Sequence, residues 1–113
     1  MTHEQLIAQC FQWHWNTFKE ERQMLYAVNN NSSNWLEGNK NKAKGVVAGV
    51  LDFCYILPNA VVWLDAKVGN DRPSNEQLSF AEKCAERGHM TYFFKSLDEF
   101  KNIITSLQKA YYG

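Results

Sequence analysis

The chain has no uninterrupted apolar run approaching the roughly 20 residues that a bilayer-crossing helix needs. Its opening stretch, MTHEQLIAQCFQWHW, lacks the basic start, apolar block and small-residue cleavage site of a secretory signal. The three cysteines, Cys10, Cys54 and Cys84, are widely spaced and odd in number. That argues against a disulfide framework and against a cysteine-rich zinc cluster. Together these absences set the expectation of a cytoplasmic protein in a reducing compartment with no membrane partner. Neither sign of charge is in excess, 12 Lys+Arg against 12 Asp+Glu, which weighs against a protein that coats nucleic acid through bulk charge. There is no Ser-His-Asp, phosphate-loop or dinucleotide fingerprint, and His3, His14 and His89 have no metal-ligand spacing with one another or with the cysteines. The three histidines therefore read as surface or helix residues.

What is there is the composition of an ordinary globular domain, 45% apolar and 14% aromatic over 113 residues. That length builds one packed core and is too short for two, so a single domain over residues 1–113 is expected. Trp13, Trp15, Trp35 and Trp63 read as core more than as base-stacking platforms. Thr2 and Gln5 have capping-box spacing, and Ile7, Phe11, His14 and Phe18 recur at helical intervals, predicting a helix over residues 3–21. Glu4, on the Ile7–Phe11 side, is expected to point toward the rest of the protein. RQMLYAV is a short strand ending in the polar loop NNNSSN. DFCYIL and VVWLDAKV form two strands about Pro58-Asn59. Ser74 with Gln77 repeats the capping box and opens a helix through Arg87, which Gly88 ends. HMTYFF is a further strand, and Phe100, Ile103, Ile104 and Leu107 stripe a last helix. The order predicts a small α/β domain with a mixed sheet flanked by helices.

In VVWLDAKV the side-chain period of two puts Val62, Leu64, Ala66 and Val68 on one apolar face and Val61, Trp63, Asp65 and Lys67 on the other. If Pro58 and Asn59 are the hairpin loop, Leu57 pairs with Ala60, Cys54 with Trp63 and Asp52 with Asp65; an odd-length loop shifts these pairs unless a bulge compensates. In the two-residue register the Asp52 and Asp65 Cβ atoms stand roughly 5 Å apart on one face. Such carboxylates repel, so removing either is expected to leave stability without metal unchanged or raised. A divalent cation bound by hard oxygen ligands is the simplest compensation. Lys67 lies about 7 Å further along the same face, within reach of a water or phosphate at that ion. The competing description is a solvent-facing charge pair on an edge strand, with Asp52 merely opening its own.

Gly49-Val50-Leu51-Asp52, Asp65-Ala66-Lys67 and Ser74-Asn75-Glu76-Gln77, preceded by the helical Glu4, resemble the pattern of the PD-(D/E)XK nuclease superfamily and specifically of its VRR-NUC branch. In that branch a helical Glu precedes a Gly-x-Pro-Asp strand start, a Glu/Asp-x-Lys strand and a helix carrying Gln. The likeness covers nearly the whole chain and is to the small standalone members associated with phages and bacteria. Leu51 departs from the pattern by standing where the family has proline. Asp65 replaces the commoner Glu with a side chain one methylene shorter.

The resemblance implies a restriction-endonuclease-like core and a metal-dependent DNA endonuclease that hydrolyses backbone phosphodiesters. It further implies a homodimer acting on branched or structured DNA, as Holliday junction resolvases do. Mg2+ or Mn2+ would be held by Asp52, Asp65, the Ala66 backbone carbonyl and, through water, Glu4. Lys67 would orient or help deprotonate the attacking water and stabilise charge on the phosphate, and Gln77 would contact the site from its helix, where capping is an equally good account of it. Lys40, Lys42 and Lys44 in GNKNKAKG have no acid among them and are expected to hold the DNA backbone; a solvated loop explains them as well. The rival is a catalytically silent nucleic-acid-binding or assembly module with the same fold. Leu51 and the zero net charge favour it, and the Asp52, Asp65 and Lys67 set speaks against it.

Overall fold

A computed structural model describes residues 1–28, 43–45, 47 and 49–112. Helix α1 (His3–Thr17) begins at Thr2, whose hydroxyl accepts the Gln5 N–H at 3.1 Å while Gln5 Oε1 accepts the Thr2 N–H at 2.9 Å. The helix stops at Thr17, short of the expected residue 21, because Phe18 leaves helical geometry and a 3-10 turn (Lys19–Glu21) follows. That turn carries the Glu21 carboxylate into the interior. There it accepts from Tyr55 Oη at 2.7 and 2.8 Å and from Gln108 Nε2 at 2.8 Å, and it pairs with His14 Nε2 at 2.9 Å. His14, expected as a surface or helix residue, lies in α1 and is only 1% exposed. The buried stripe of α1 is Leu6, Cys10 and His14, with Ile7 and Phe11 at its margin.

Strands β1 (Leu25–Ala27), β2 (Phe53–Ile56), β3 (Val61–Ala66) and β4 (Met90–Phe94) form one sheet in the order β1-β2-β3-β4. β1–β2 and β2–β3 are antiparallel, and β3–β4 is parallel. The β2–β3 register is the two-residue-loop one, with Phe53 opposite Leu64 and Cys54 opposite Trp63, and the Leu57 N–H donates to the Ala60 carbonyl at 2.9 Å. A parallel neighbour needs a crossover, which helix α2 (Asn75–Glu86) supplies between β3 and β4. Helix α3 (Leu97–Tyr112) closes the order.

The sheet's two faces are covered differently. Phe53, Tyr55, Val62, Leu64, Ala66 and Phe94 pack with Leu6 and Cys10 of α1 and with Phe100, Ile104 and Leu107 of α3 in one apolar core. On the other face Trp63 meets Phe80 of α2 edge-on at 5.2 Å, and α2 buries no residue completely. Asp65 and Lys67 lie on this second face, yet they are 3% and 7% exposed, which excludes a solvent-facing charge pair. Gly49, at φ +89°, lets the incoming chain pass against α2: a Cβ there would stand 2.6 Å from the Glu76 carbonyl oxygen. The result is an α/β fold, a four-stranded mixed sheet flanked by three helices among the described residues.

Candidate functional site

Because β2 and β3 are antiparallel, the residue entering β2, Asp52, lies beside the last residues of β3. The two strands are tied there through their acids: the Asp52 N–H donates to Asp65 Oδ1 at 3.0 Å, and the Ala66 N–H donates to Asp52 Oδ2 at 2.9 Å. The expected juxtaposition of Asp52 and Asp65 is therefore present, and Ala66 is held against it by its own amide. Lys67 Nζ lies 2.8 Å from Asp65 Oδ2 and 3.9 Å from Asp71 Oδ2, and it donates to Gln77 Oε1 at 2.8 Å.

Gln77 serves both purposes weighed for it. Its Oε1 also accepts the Ser74 N–H at 3.1 Å, completing the α2 capping box, while its Nε2 donates to Asp65 Oδ2 at 3.3 Å. The first turn of α2 thus closes over Asp65 and Lys67. Burial, above all, pushes the Asp65 carboxyl above the usual carboxylate range; the Lys67 hydrogen bond pulls it back, and the nearby Asp52 raises it again.

Other expected residues fall outside this cluster. Glu4 is exposed, contrary to its expected inward direction, because the inward stripe of α1 runs through Leu6 and Cys10. It borders a depression of about 290 Å³ that Asp52 also lines, but among the described residues no hydrogen bond or ion pair joins it to either aspartate. Lys44 is exposed. Lys40 and Lys42 lie outside the described residues, as does Trp35. Of the remaining tryptophans, Trp13 packs against the core, Trp63 is partly covered by Phe80, and Trp15 is exposed.

The sequence reading missed His3. Its Nε2 stands 2.8 Å from Asp52 Oδ2, so the start of α1 reaches the site through His3 and not through Glu4. The signal was present: His3, Leu6, Cys10 and His14 share one helical face at spacings of three and four.

Asp52 and Asp65 stand side by side in a mostly buried cluster, with the Lys67 ammonium on Asp65 and the His3 ring on Asp52. Among the described residues no group of three or more His, Cys, Asp or Glu side chains converges as a metal cage. Two adjacent hard-oxygen ligands suit Mg2+ or Mn2+, since magnesium usually keeps several waters and takes one or two carboxylates. The donor chemistry therefore fits the ion that the resemblance implies.

No protein-family model matches the sequence, and no curated protein matches it. Among solved structures the chain is similar to one described as "VRR_NUC domain protein", with a TM-score of 0.75 and 18% identity over 96% of this chain and 89% of that one. At that identity the likeness is one of fold, and the chain has a VRR_NUC-like fold.

Proposed function

We propose that the chain is a VRR-NUC-type nuclease of the PD-(D/E)XK superfamily, a metal-dependent DNA endonuclease that hydrolyses backbone phosphodiesters. The observation that carries this reading is the Asp52–Asp65–Lys67–Gln77 cluster, charged and largely buried at one end of the sheet. Asp52, Asp65 and the Ala66 carbonyl would hold Mg2+ or Mn2+, which when bound supplies Lewis-acid chemistry at the phosphate. Glu4 would act only through water from across its depression. Lys67, fixed by Asp65 and Gln77, is pre-positioned to stabilise charge developing on a phosphate oxygen and costs no reorganisation when it does so. Gln77 sets the position of that ammonium. Action on branched or structured DNA, a homodimer, a phage or bacterial setting and a cytoplasmic location rest on the resemblance, and Lys40, Lys42 and Lys44 would add backbone contacts.

A panel of linear, nicked, flapped and four-way DNA with Mg2+ or Mn2+ tests the reading. Cleavage is expected on at least one substrate, and Lys67→Ala should slow it by about 10²–10³-fold, as losses of charge-stabilising groups do, with DNA affinity little changed. A chain that binds DNA and no Mn2+, and cuts none of the panel, is the silent module instead.

A further inference from the structure

Beyond Lys67 the end of the sheet carries a second cationic feature. β3 and β4 run parallel with Asp65 beside Phe93 and Ala66 beside Phe94. The Lys67 N–H donates to the Phe94 carbonyl at 2.8 Å, which carries the pairing one residue further. Lys67 and Lys95 consequently come abreast just past the strand ends, at the roughly 4.8 Å spacing of neighbouring strands, on the face that bears Asp65. Like charges placed side by side on a sheet repel. The Lys67 charge is answered by Asp65; among the described residues neither Lys95 nor Arg72 forms an ion pair.

All three cations line one depression of about 460 Å³, walled by the loop after β3 and by Phe93 and Lys95 at the end of β4. Among the described residues Asp71 is the one acid lining it, and it is shared with Lys67 at 3.9 Å. The depression has ample room for a hydrated phosphate. The depression also opens at the carboxyl ends of two parallel strands, where open α/β sheets bind their ligands.

We propose that this depression is a phosphate subsite, in which Arg72 and Lys95 hold the DNA phosphate next to the one presented to Lys67. The choice of DNA rests on the nuclease reading; the cationic site itself does not. The subsite is built from residues other than those of GNKNKAKG and gives the substrate strand a path across the ends of β3 and β4.

The test is fluorescence anisotropy of the full chain with labelled duplex DNA in EDTA over a range of salt, comparing wild type with Arg72→Gln, Lys95→Gln and the double variant. Both residues are exposed, so the fold should be unaffected. Each lost contact should flatten the slope of log affinity against log salt by about 0.9, and the double variant by about 1.8. Mn2+ binding should stay as in wild type. A wild-type slope in the double variant, or no DNA binding by wild type, overturns the subsite. Full cleavage by a double variant with an unchanged slope would remove the subsite and leave the nuclease reading. A flattened slope in a protein that cuts nothing would do the reverse.

Discussion

Replacing Asp65 by Asn in the absence of metal sets two opposed effects against each other. Relief of the repulsion between Asp52 and Asp65 favours the variant, which is why the pattern of acids alone leads one to expect stability held or raised. Set against that relief is an ion pair: Asp65 Oδ2 lies 2.8 Å from the Lys67 ammonium where the two side chains are only 4% and 9% exposed. An Asn there keeps one oxygen for the Asp52 N–H, but it turns an amide NH2 toward Lys67 Nζ and Gln77 Nε2, which are themselves donors. Breaking a buried pair costs about 3–5 kcal/mol, and the low end applies here because Lys67 keeps Gln77 and, at 3.9 Å, Asp71, and because burial already disfavours the Asp65 charge. With an unfolding entropy of about 2.1 cal/mol/K per residue over 113 residues, even the lower figure lowers Tm by about 13 °C.

Thermal unfolding in EDTA of wild type, Asp65→Asn, Lys67→Met and the double variant measures this. Both single variants should melt well below wild type. The double variant, with neither charge of the pair left without the other, should recover most of the loss, giving a coupling of about 2–3 kcal/mol, at the upper end for residues in contact. An Asp65→Asn protein at least as stable as wild type would refute the reasoning and show that acid–acid repulsion outweighs the ion pair.

Two further outcomes follow from the geometry. His3→Ala should weaken Mn2+ binding about tenfold by calorimetry, the low end for loss of a partner that orients a metal-binding carboxylate, while His3→Gln recovers part of it; unchanged affinity would make His3 a bystander to Asp52. Tyr55→Phe should cost about 1.5–3 kcal/mol at neutral pH, the usual worth of a hydrogen bond to a charged group. It should also move the acid-unfolding midpoint to higher pH. Burial pushes the Glu21 carboxyl up, but hydrogen bonds from Tyr55, His14 and Gln108 outweigh it and hold the group below its usual range. The stability Glu21 contributes is thus present above its unfolded pKa of about 4.3 and lost as pH falls through the lower folded value. Without Tyr55 Oη that folded value rises, and a circular-dichroism titration with an unmoved midpoint would count against this account.

The parts of the fold that were legible are those fixed by short-range geometry. Leu57-Pro58-Asn59-Ala60 leaves a two-residue loop, and once Leu57 meets Ala60 the opposition of Asp52 and Asp65 follows by counting. The alternation in β3 placed Asp65 and Lys67 together, and the Ser74–Gln77 spacing located a helix start; that Gln77 also reaches Asp65 and Lys67 was implied by the family resemblance and not by the spacing. The similar capping box at Thr2 found α1 but not its rotation. Ile7 with Phe11 and Leu6 with Cys10 both satisfy a 3.6-residue period, and the bulk of the aromatics favoured the wrong stripe by one residue. That single step of rotation separates Glu4 outward from His3 at Asp52. Nothing local reveals that Glu21 turns inward, because its partners Tyr55 and Gln108 lie 34 and 87 residues away. Lys95 likewise gained its meaning only when β4 was placed parallel beside β3.

The cost of the cluster bears on why it is there. A buried ion pair recovers little more than the desolvation of its two charges, and apolar replacements of similar size are often neutral or stabilising. The apolar route was open: the same strand carries Val62, Leu64 and Ala66 on its other face, all fully buried against α1 and α3. Helix α2, by contrast, buries no residue completely; it lies along β4 and meets the sheet through the edge-on contact of Trp63 with Phe80 and through Gln77, which bonds Lys67 and Asp65 at once. The polar group that seats α2 is therefore the same group that assembles the site, and Gly49 keeps the approaching chain close enough to α2 for Asp52 to join it. A chain shaped for stability alone would fill positions 65 and 67 as it fills 62 and 64. Retaining an acid, a second acid and an ammonium under a helix that buries none of its residues completely makes sense where a cation and a phosphate have to reach them.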